Sequence, residues 1–377
     1  MSGVGVYIHW PYCAAICPYC DFNVYRARGA DTAPLLAAIA TDIAAHAQRF
    51  GRREASSIFF GGGTPSLLPG RDIARLVEAV ARAFALTPGC EVTLEANPED
   101  ARLFGEQAFA GVNRFSIGAQ ALDDFALKAL GRWHDAGAGL RAVDAAAATG
   151  ARVSLDLIYA REGQGVEAWR AELKRALALP IEHVSLYQLT IEPDTAFARR
   201  FARGELVPPD ADGAADLFEA TQEICDAMGF PAYEISNHAR ATAARSRHNL
   251  LYWRGGDWIG VGPGAHGRLT HEGARIATES CKRPDAYIEA VNQRELGWAS
   301  EERLTSEAAA DELLLMGVRI DEGVDIAPIE ALRGRPLNRD AMAWLAEQGL
   351  IVQDGRRLRL TQRGRAVTNK IVAELVA

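Results

Sequence analysis

The sequence is short of three things, and each shortage excludes something. No apolar run approaches the ~20 residues needed to cross a bilayer as a helix, which argues against a helical membrane protein. The N-terminal Val4-Gly-Val-Tyr-Ile8 reads as a strand rather than as a basic segment followed by a leader, so a cytoplasmic chain is expected. There is no basic run, and the formal net charge of −8 argues against a nucleic-acid partner. Cysteine is also scarce, with six in 377 residues. What remains is ordinary for a globular protein: 49% apolar and 24% charged residues, in a chain long enough for a large α/β domain and something smaller.

The few cysteines are not spread evenly. Cys13, Cys17 and Cys20 fall within eight residues at C-x3-C-x2-C spacing, in Tyr7-Ile-His-Trp-Pro-Tyr-Cys-Ala-Ala-Ile-Cys-Pro-Tyr-Cys-Asp21. Thiolates are soft donors that suit iron–sulfur clusters, and a short loop can aim three of them at three corners of one cube. Two plainer alternatives stand beside this. Cys17-Pro-Tyr-Cys20 resembles a thioredoxin-like redox pair, and two cysteines with His9 could bind zinc. The first has no use for Cys13, and the second lacks a clear fourth ligand. Cys90, Cys225 and Cys281 are scattered and read as small buried residues.

Runs rich in β-branched and aromatic residues predict strands at Val4–His9, Ser57–Phe60, Glu91–Glu95, Arg114–Ile117, Arg152–Ile158 and His183–Leu189. Helical patterns lie between them, including Ala33–Gln48, Arg71–Phe84, Ala136–Thr149 and Val166–Leu179. Six β-then-α units in series call for parallel strands with right-handed crossovers. A partial (β/α)6 barrel is favoured over an open sheet because the chemically suggestive residues fall at strand carboxyl ends. These are the cysteine loop, Gly61-Gly-Gly-Thr-Pro65, Glu95, Gln120 and Asp156.

Beyond about residue 195 the β/α rhythm fades, with one helix over 208–230 and a polar, Gly-rich stretch from Ser236 to Gly267. From residue 301 onward, helices at Ser306–Val318, Ile326–Leu332 and Asp340–Gln348 precede a hairpin over 350–360 with its turn at Asp354-Gly355, and a last helix. The expected organisation is a barrel over 1–195, an extension over 196–300 and a winged-helix-like α+β domain over 301–377. The third helix of that domain carries little positive charge, so packing or gating is expected of it rather than DNA binding.

The cysteine loop closely resembles that of the radical S-adenosylmethionine (SAM) superfamily. The resemblance implies a 4Fe–4S cluster on Cys13, Cys17 and Cys20 whose open iron chelates the methionine end of SAM. Gly61-Gly62-Gly63-Thr64-Pro65 resembles the superfamily's GGTP motif. The likeness extends over nearly the whole chain to the coproporphyrinogen-oxidase-like branch, and it implies a SAM site made by Tyr7, Tyr19, Gly62, Gly63, Thr64, Glu95, Gln120, Arg132 and Asp156. Carboxylates and an amide suit ribose hydroxyls or an amino group, and a guanidinium suits a carboxylate. The plainer alternative for Glu95 and Arg132 is a surface ion pair.

The chain departs from the oxidases of that branch, which carry a further cysteine two residues past the third ligand; Phe22 stands there, and only twelve residues precede Cys13. It is similar instead to the HemW heme chaperones, whose heme-binding signature matches His248-Asn249-Leu-Leu-Tyr252-Trp253. That resemblance implies heme held by His248 with Asn249, Tyr252 and Trp253, and delivery of heme to respiratory proteins. An imidazole suits iron, and residues four apart share a helical face. Without the family, His248 reads as a core histidine and the aromatics as packing. His266 is a second heme ligand or a loop residue, and Arg161-Glu-Gly-Gln-Gly165 lacks the proline usual in that loop. Whether SAM is cleaved by a radical enzyme acting on a porphyrinogen-like substrate, whether the chain is a homodimer, and whether it visits membranes through its clients are left open.

Overall fold

A computed structural model describes residues 3–377. Its centre is a run of parallel strands in chain order: β1 (Val4–Trp10), β2 (Glu54–Gly62), β3 (Ala85–Ala96), β4 (Arg114–Gln120), β5 (Arg152–Tyr159) and β6 (His183–Gln188). Helices α1 (Ala33–Phe50), α2 (Gly70–Ala83), α3 (Ala136–Ala148) and α4 (Val166–Leu177) make crossovers between them. The expected partial barrel of six β/α units is therefore present.

The strands alternate in a way that sets the character of the interior. Val92 and Leu94, Phe115 and Ile117, Val153 and Leu155, and Val184 and Leu186 face the helices and form one core with them. The intervening positions carry Glu91, Thr93 and Glu95, Arg114 and Ser116, Ser154 and Asp156, and His183 and Ser185. Because side chains alternate across a strand, the lumen is lined by polar groups while the outer face is apolar.

Residues 196–300 extend this sheet at both edges. Asn237–Ala239 (β7) pairs antiparallel with β6. Trp258–Val261 (β8) lies parallel to β1 on its other side and is followed by the antiparallel strands β9 (His266–His271), β10 (Ala274–Ser280) and β11 (Trp298–Arg303). The sheet thus has eleven strands, with a seventh parallel strand that the Gly-rich sequence around it concealed. The helix expected over 208–230 is α5 (Ala211–Ala227).

Between β7 and β8 runs a short helix, α6 (Arg247–Trp253), N-capped by Ser246. It closes the amino end of the barrel. The His248 amide donates to Glu91 at 3.1 Å and Arg247 donates to the Gly89 carbonyl at 2.7 Å. Glu91 is buried between Arg152, at 2.5 Å, and Arg114, at 4.0 Å, and despite its burial these charges hold its carboxyl below the usual range. The His248 ring is 1% exposed, stacks on Phe59 at 5.0 Å, and has both nitrogens engaged, Nδ1 with Ser57 Oγ at 2.8 Å and Nε2 with Tyr252 OH at 2.7 Å.

The C-terminal part has its own core, built from α8 (Ser306–Gly317), α9 (Ile326–Arg333), α10 (Arg339–Glu347), α11 (Thr368–Val376) and a three-stranded sheet of β12 (Val324–Asp325), β14 (Arg357–Leu360) and β13 (Ile351–Asp354). Ahead of it in the chain, helix α7 (Pro284–Arg294) packs on α1. The β13–β14 loop is Gly355-Arg356, one residue beyond the expected turn, with Asp354 paired to Arg357. Gly355 has φ +58°, and a glycine first in a two-residue hairpin loop supplies this conformation without strain. Arg245–Asp321 at 2.6 Å and Arg268–Glu312 at 2.7 Å tie this part to the barrel.

His248 is thus a hydrogen-bonded pin between α6 and β2. Replacing it with Ala should leave Ser57 and Tyr252 without their buried partner and destabilise the fold by about 2–3 kcal/mol, measurable by urea or thermal melting. An unchanged melting curve would mean the ring is not held in this way.

Candidate functional site

A cavity of about 410 Å³ opens at the carboxyl end of the parallel strands. It is lined by Cys13, Cys17 and Cys20 together with Tyr19, Gly62, Gly63, Thr64, Glu95, Gln120, Arg132 and Asp156. All but one of the residues expected for a cluster and SAM site are therefore gathered in one place, from the ends of five strands and the loops after them.

The cysteine loop is fixed to the end of β2 by backbone bonds. The Gly63 amide donates to the Trp10 carbonyl at 2.7 Å and the Thr64 amide to the Tyr12 carbonyl at 2.9 Å. A Cβ on Gly63 would lie 2.8 Å from the Tyr12 carbonyl oxygen, and one on Gly62, whose φ is +106°, would lie 2.5 Å from the His9 ring. These glycines serve the close seating of β1 and its loop on β2 as well as the cavity wall.

Tyr7 is the exception. It does not line the cavity; its hydroxyl donates to His9 Nδ1 at 3.0 Å, and His9 Nε2 donates to the Asn23 carbonyl at 2.9 Å. Tyr7 therefore supports the site from one layer below, and His9, with both nitrogens committed, is not offered to the thiols as a zinc ligand. Among the described residues no three His, Cys, Asp or Glu side chains are drawn together tightly enough for a single ion. A cube of iron and sulfide holds its thiolates on separate irons and so needs them farther apart than a lone zinc does. Burial pushes the Cys20 thiol up to about 11 and raises that of Cys13. A reactive redox cysteine needs the opposite shift, whereas a metal displaces these protons on binding.

Glu95 and Arg132 are not a surface ion pair. Arg132 points inward, donating to Asn97 Oδ1 at 2.7 Å, to the Gly118 carbonyl at 3.2 Å and to Cys17 Sγ at 3.4 Å, with its buried Nε left without a partner. Glu95 accepts only the Gly62 amide, at 3.0 Å. Desolvation, reinforced by the nearby Asp156, pushes its carboxyl up to about 8. Asp156 is also raised by burial, which the hydroxyl of Ser116, at 3.1 and 2.8 Å from its two oxygens, partly offsets. Two carboxyls facing one cavity without a guanidinium or ammonium partner make a seat for a cation. SAM, with its sulfonium and amino group, has that chemistry, so the residues present fit both groups.

Gln120 sits on a backbone irregularity. Its φ is +65°, and the β4–β5 register breaks between Ile117 and Gln120. Bulges and left-handed residues turn side chains toward sites, and here Gln120 is turned to the cavity rim. Asn97, Ser116 and Tyr187 also line the cavity and were not singled out in the sequence. For Ser116 and Tyr187 the signal is the period-2 placement of polar residues on strands whose other face is apolar, whereas Asn97 lies just past the end of β3.

The heme-binding signature lies elsewhere. His248, Asn249, Tyr252 and Trp253 are on α6 at the opposite end of the barrel, none lines the cavity, and both ring nitrogens of His248 are hydrogen-bonded. Burial lowers that ring to about 4, so it is neutral. The Asn249 amide serves the Ser246 cap, and Trp253 packs against a cluster containing Ile320, with Arg319 over its ring at 5.6 Å. His266 is exposed, 3.9 Å from Glu279.

The chain matches the Radical SAM superfamily over residues 7–176 and the HemN C-terminal domain over residues 304–367. It is 37% identical to the heme chaperone HemW of Mycobacterium tuberculosis over 99% of this chain and 94% of that protein. It is 38% identical to the mitochondrial radical S-adenosyl methionine domain-containing protein 1 of Bos taurus, over 99% of this chain and 87% of the relative. Its fold is that of coproporphyrinogen III oxidase (HemN) from Escherichia coli, with a TM-score of 0.82 at 20% identity, covering 100% of this chain and 90% of the other. With relatives this similar along nearly their whole length, the chain belongs to the HemW family of the radical SAM superfamily, whose cofactors are a 4Fe–4S cluster, SAM and heme.

Proposed function

We propose that this chain is a heme chaperone that binds heme beside a 4Fe–4S cluster and SAM and passes the heme to respiratory acceptor proteins. The observation that carries the cluster and SAM part is the single cavity facing three thiols, a glycine turn and two carboxyls without a cationic partner. The heme part is supported by the relatives named as heme chaperones and by Phe22, which stands where the oxidases of this branch have a fourth cysteine.

In this reading Cys13, Cys17 and Cys20 hold the cluster, which supplies an open iron and one-electron chemistry when bound. Gly62, Gly63 and Thr64 form the wall nearest the thiols. Glu95 and Asp156 face the cationic end of SAM, whose charge would favour their ionised forms on binding, and Arg132 lies against Cys17. Gln120 and Tyr19 close the cavity's sides.

Anaerobic reconstitution with iron and sulfide should give about four irons per chain and a reduced EPR signal. Cys13→Ser, Cys17→Ser and Cys20→Ser should each abolish the signal, whereas Cys90→Ser and Cys225→Ser should not. The same reconstituted protein should bind about one heme per chain and should not decarboxylate coproporphyrinogen; measurable turnover would make it an oxidase instead.

Glu95 gives a pH test. Its folded carboxyl, raised to about 8 from the ordinary 4.5, keeps a proton that the unfolded chain has already lost. The folded state therefore holds the extra proton between these values, and the stability tied to it is lost as pH rises through that window. Cluster-free wild-type protein should lose more melting temperature between about pH 5 and about pH 8.5 than Glu95→Gln. Parallel curves would show that Glu95 is not held protonated.

A further inference from the structure

Helix α6 carries the heme-binding signature, and one short segment of the C-terminal part holds it along its whole length. That segment is Arg319-Ile320-Asp321-Glu322, between α8 and β12. Asp321 accepts two bonds from Arg245, just ahead of the Ser246 cap, at 2.6 and 3.1 Å. Glu322 accepts from Arg254, just past the last helical residue, at 3.1 Å from Nε and again from Nη2, and it lies 3.8 Å from Arg245 as well. Between these two ends Ile320 packs with Leu250 and Trp253, and Arg319 lies 5.6 Å over the Trp253 ring. Four consecutive residues thus hold α6 on the side turned away from β2.

A seven-residue helix is not stable in water by itself. These contacts, together with the His248 and Glu91 bonds on the barrel side, therefore decide whether α6 stays seated. The two sides differ in kind. On the barrel side the His248 ring and Glu91 are buried. On the other, the Asp321 side chain is 32% exposed and that of Glu322 40%, so salt screens their ion pairs and each pair breaks at low cost. The indole Nε1 of Trp253 is buried without a partner, and a polar atom in that position gains hydrogen bonds by leaving its seat. While α6 is seated both nitrogens of His248 are engaged, so the ring meets an iron only when the helix has moved.

We propose that residues 319–322 are a latch on the heme-binding helix: with Asp321 and Glu322 on their arginines α6 is closed to heme, and release of the segment lets α6 lift from β2 and present His248, Tyr252 and Trp253. The proposal rests on the heme-carrier reading above and adds how that site is gated. It gives the C-terminal part a role in heme uptake that the chemistry of the barrel cavity does not supply.

The test compares the full-length, reduced chain with its Asp321→Asn, Glu322→Gln double variant. Without heme, amide hydrogen exchange across residues 247–254 should be at least about fivefold faster in the variant, which loses three partly exposed ion pairs. In stopped-flow mixing with hemin, association should quicken by a similar factor. Dissociation, followed by transfer to excess apomyoglobin, should not change, because a closed fraction taxes only entry. Wild-type exchange in the same segment should also rise between about 20 mM and about 500 mM NaCl, a measurement that does not depend on the variant folding. Unchanged exchange in the variant, or faster exchange with unchanged hemin association, would overturn the latch while leaving heme binding intact. No binding of hemin by either chain would overturn the chaperone reading itself.

Discussion

The fold depends on how it pairs the ionisable groups that its strands turn into the barrel. At the amino end the pairing is complete. Glu91 is held by Arg152, Arg114 and the amide of His248, and removing one partner from such a buried pair costs about 3–5 kcal/mol. At the carboxyl end it is deliberately incomplete in the physical sense: Glu95 and Asp156 have hydroxyls and an amide but no cation, and both are held above the usual carboxylate range. A barrel filled with aliphatic side chains would have no such asymmetry. Here one end is a finished structural plug and the other a seat awaiting positive charge.

This asymmetry also explains what the sequence revealed and what it hid. The cysteine loop was legible because three soft ligands in eight residues have few other uses, and Glu95, Gln120 and Asp156 were legible because each ends a strand. Ser116 and Tyr187 were hidden because single polar residues within apolar strands look like noise until the lumen is known to be polar, and Asn97 because it sits in the turn after β3. The strand Trp258–Val261 was hidden by its brevity and by the glycines around it, since a four-residue strand has no period to detect. Tyr7 was placed in the right strand but one layer too high, because facing the lumen does not fix depth along the axis.

His248 shows the limit of reading a signature by chemistry alone. An imidazole four residues before a tyrosine suits an iron site, and it also suits a helix that must pin itself to a sheet. In this structure the residues share a helical face as expected, and they bond to each other and to Ser57. On the other side of the same helix, Trp253 and Leu250 join Ile320 and Tyr233, so α6 is a wedge between the barrel and the C-terminal part. Opening this wedge would free an iron ligand only by breaking both ring hydrogen bonds and exposing the Glu91 pair.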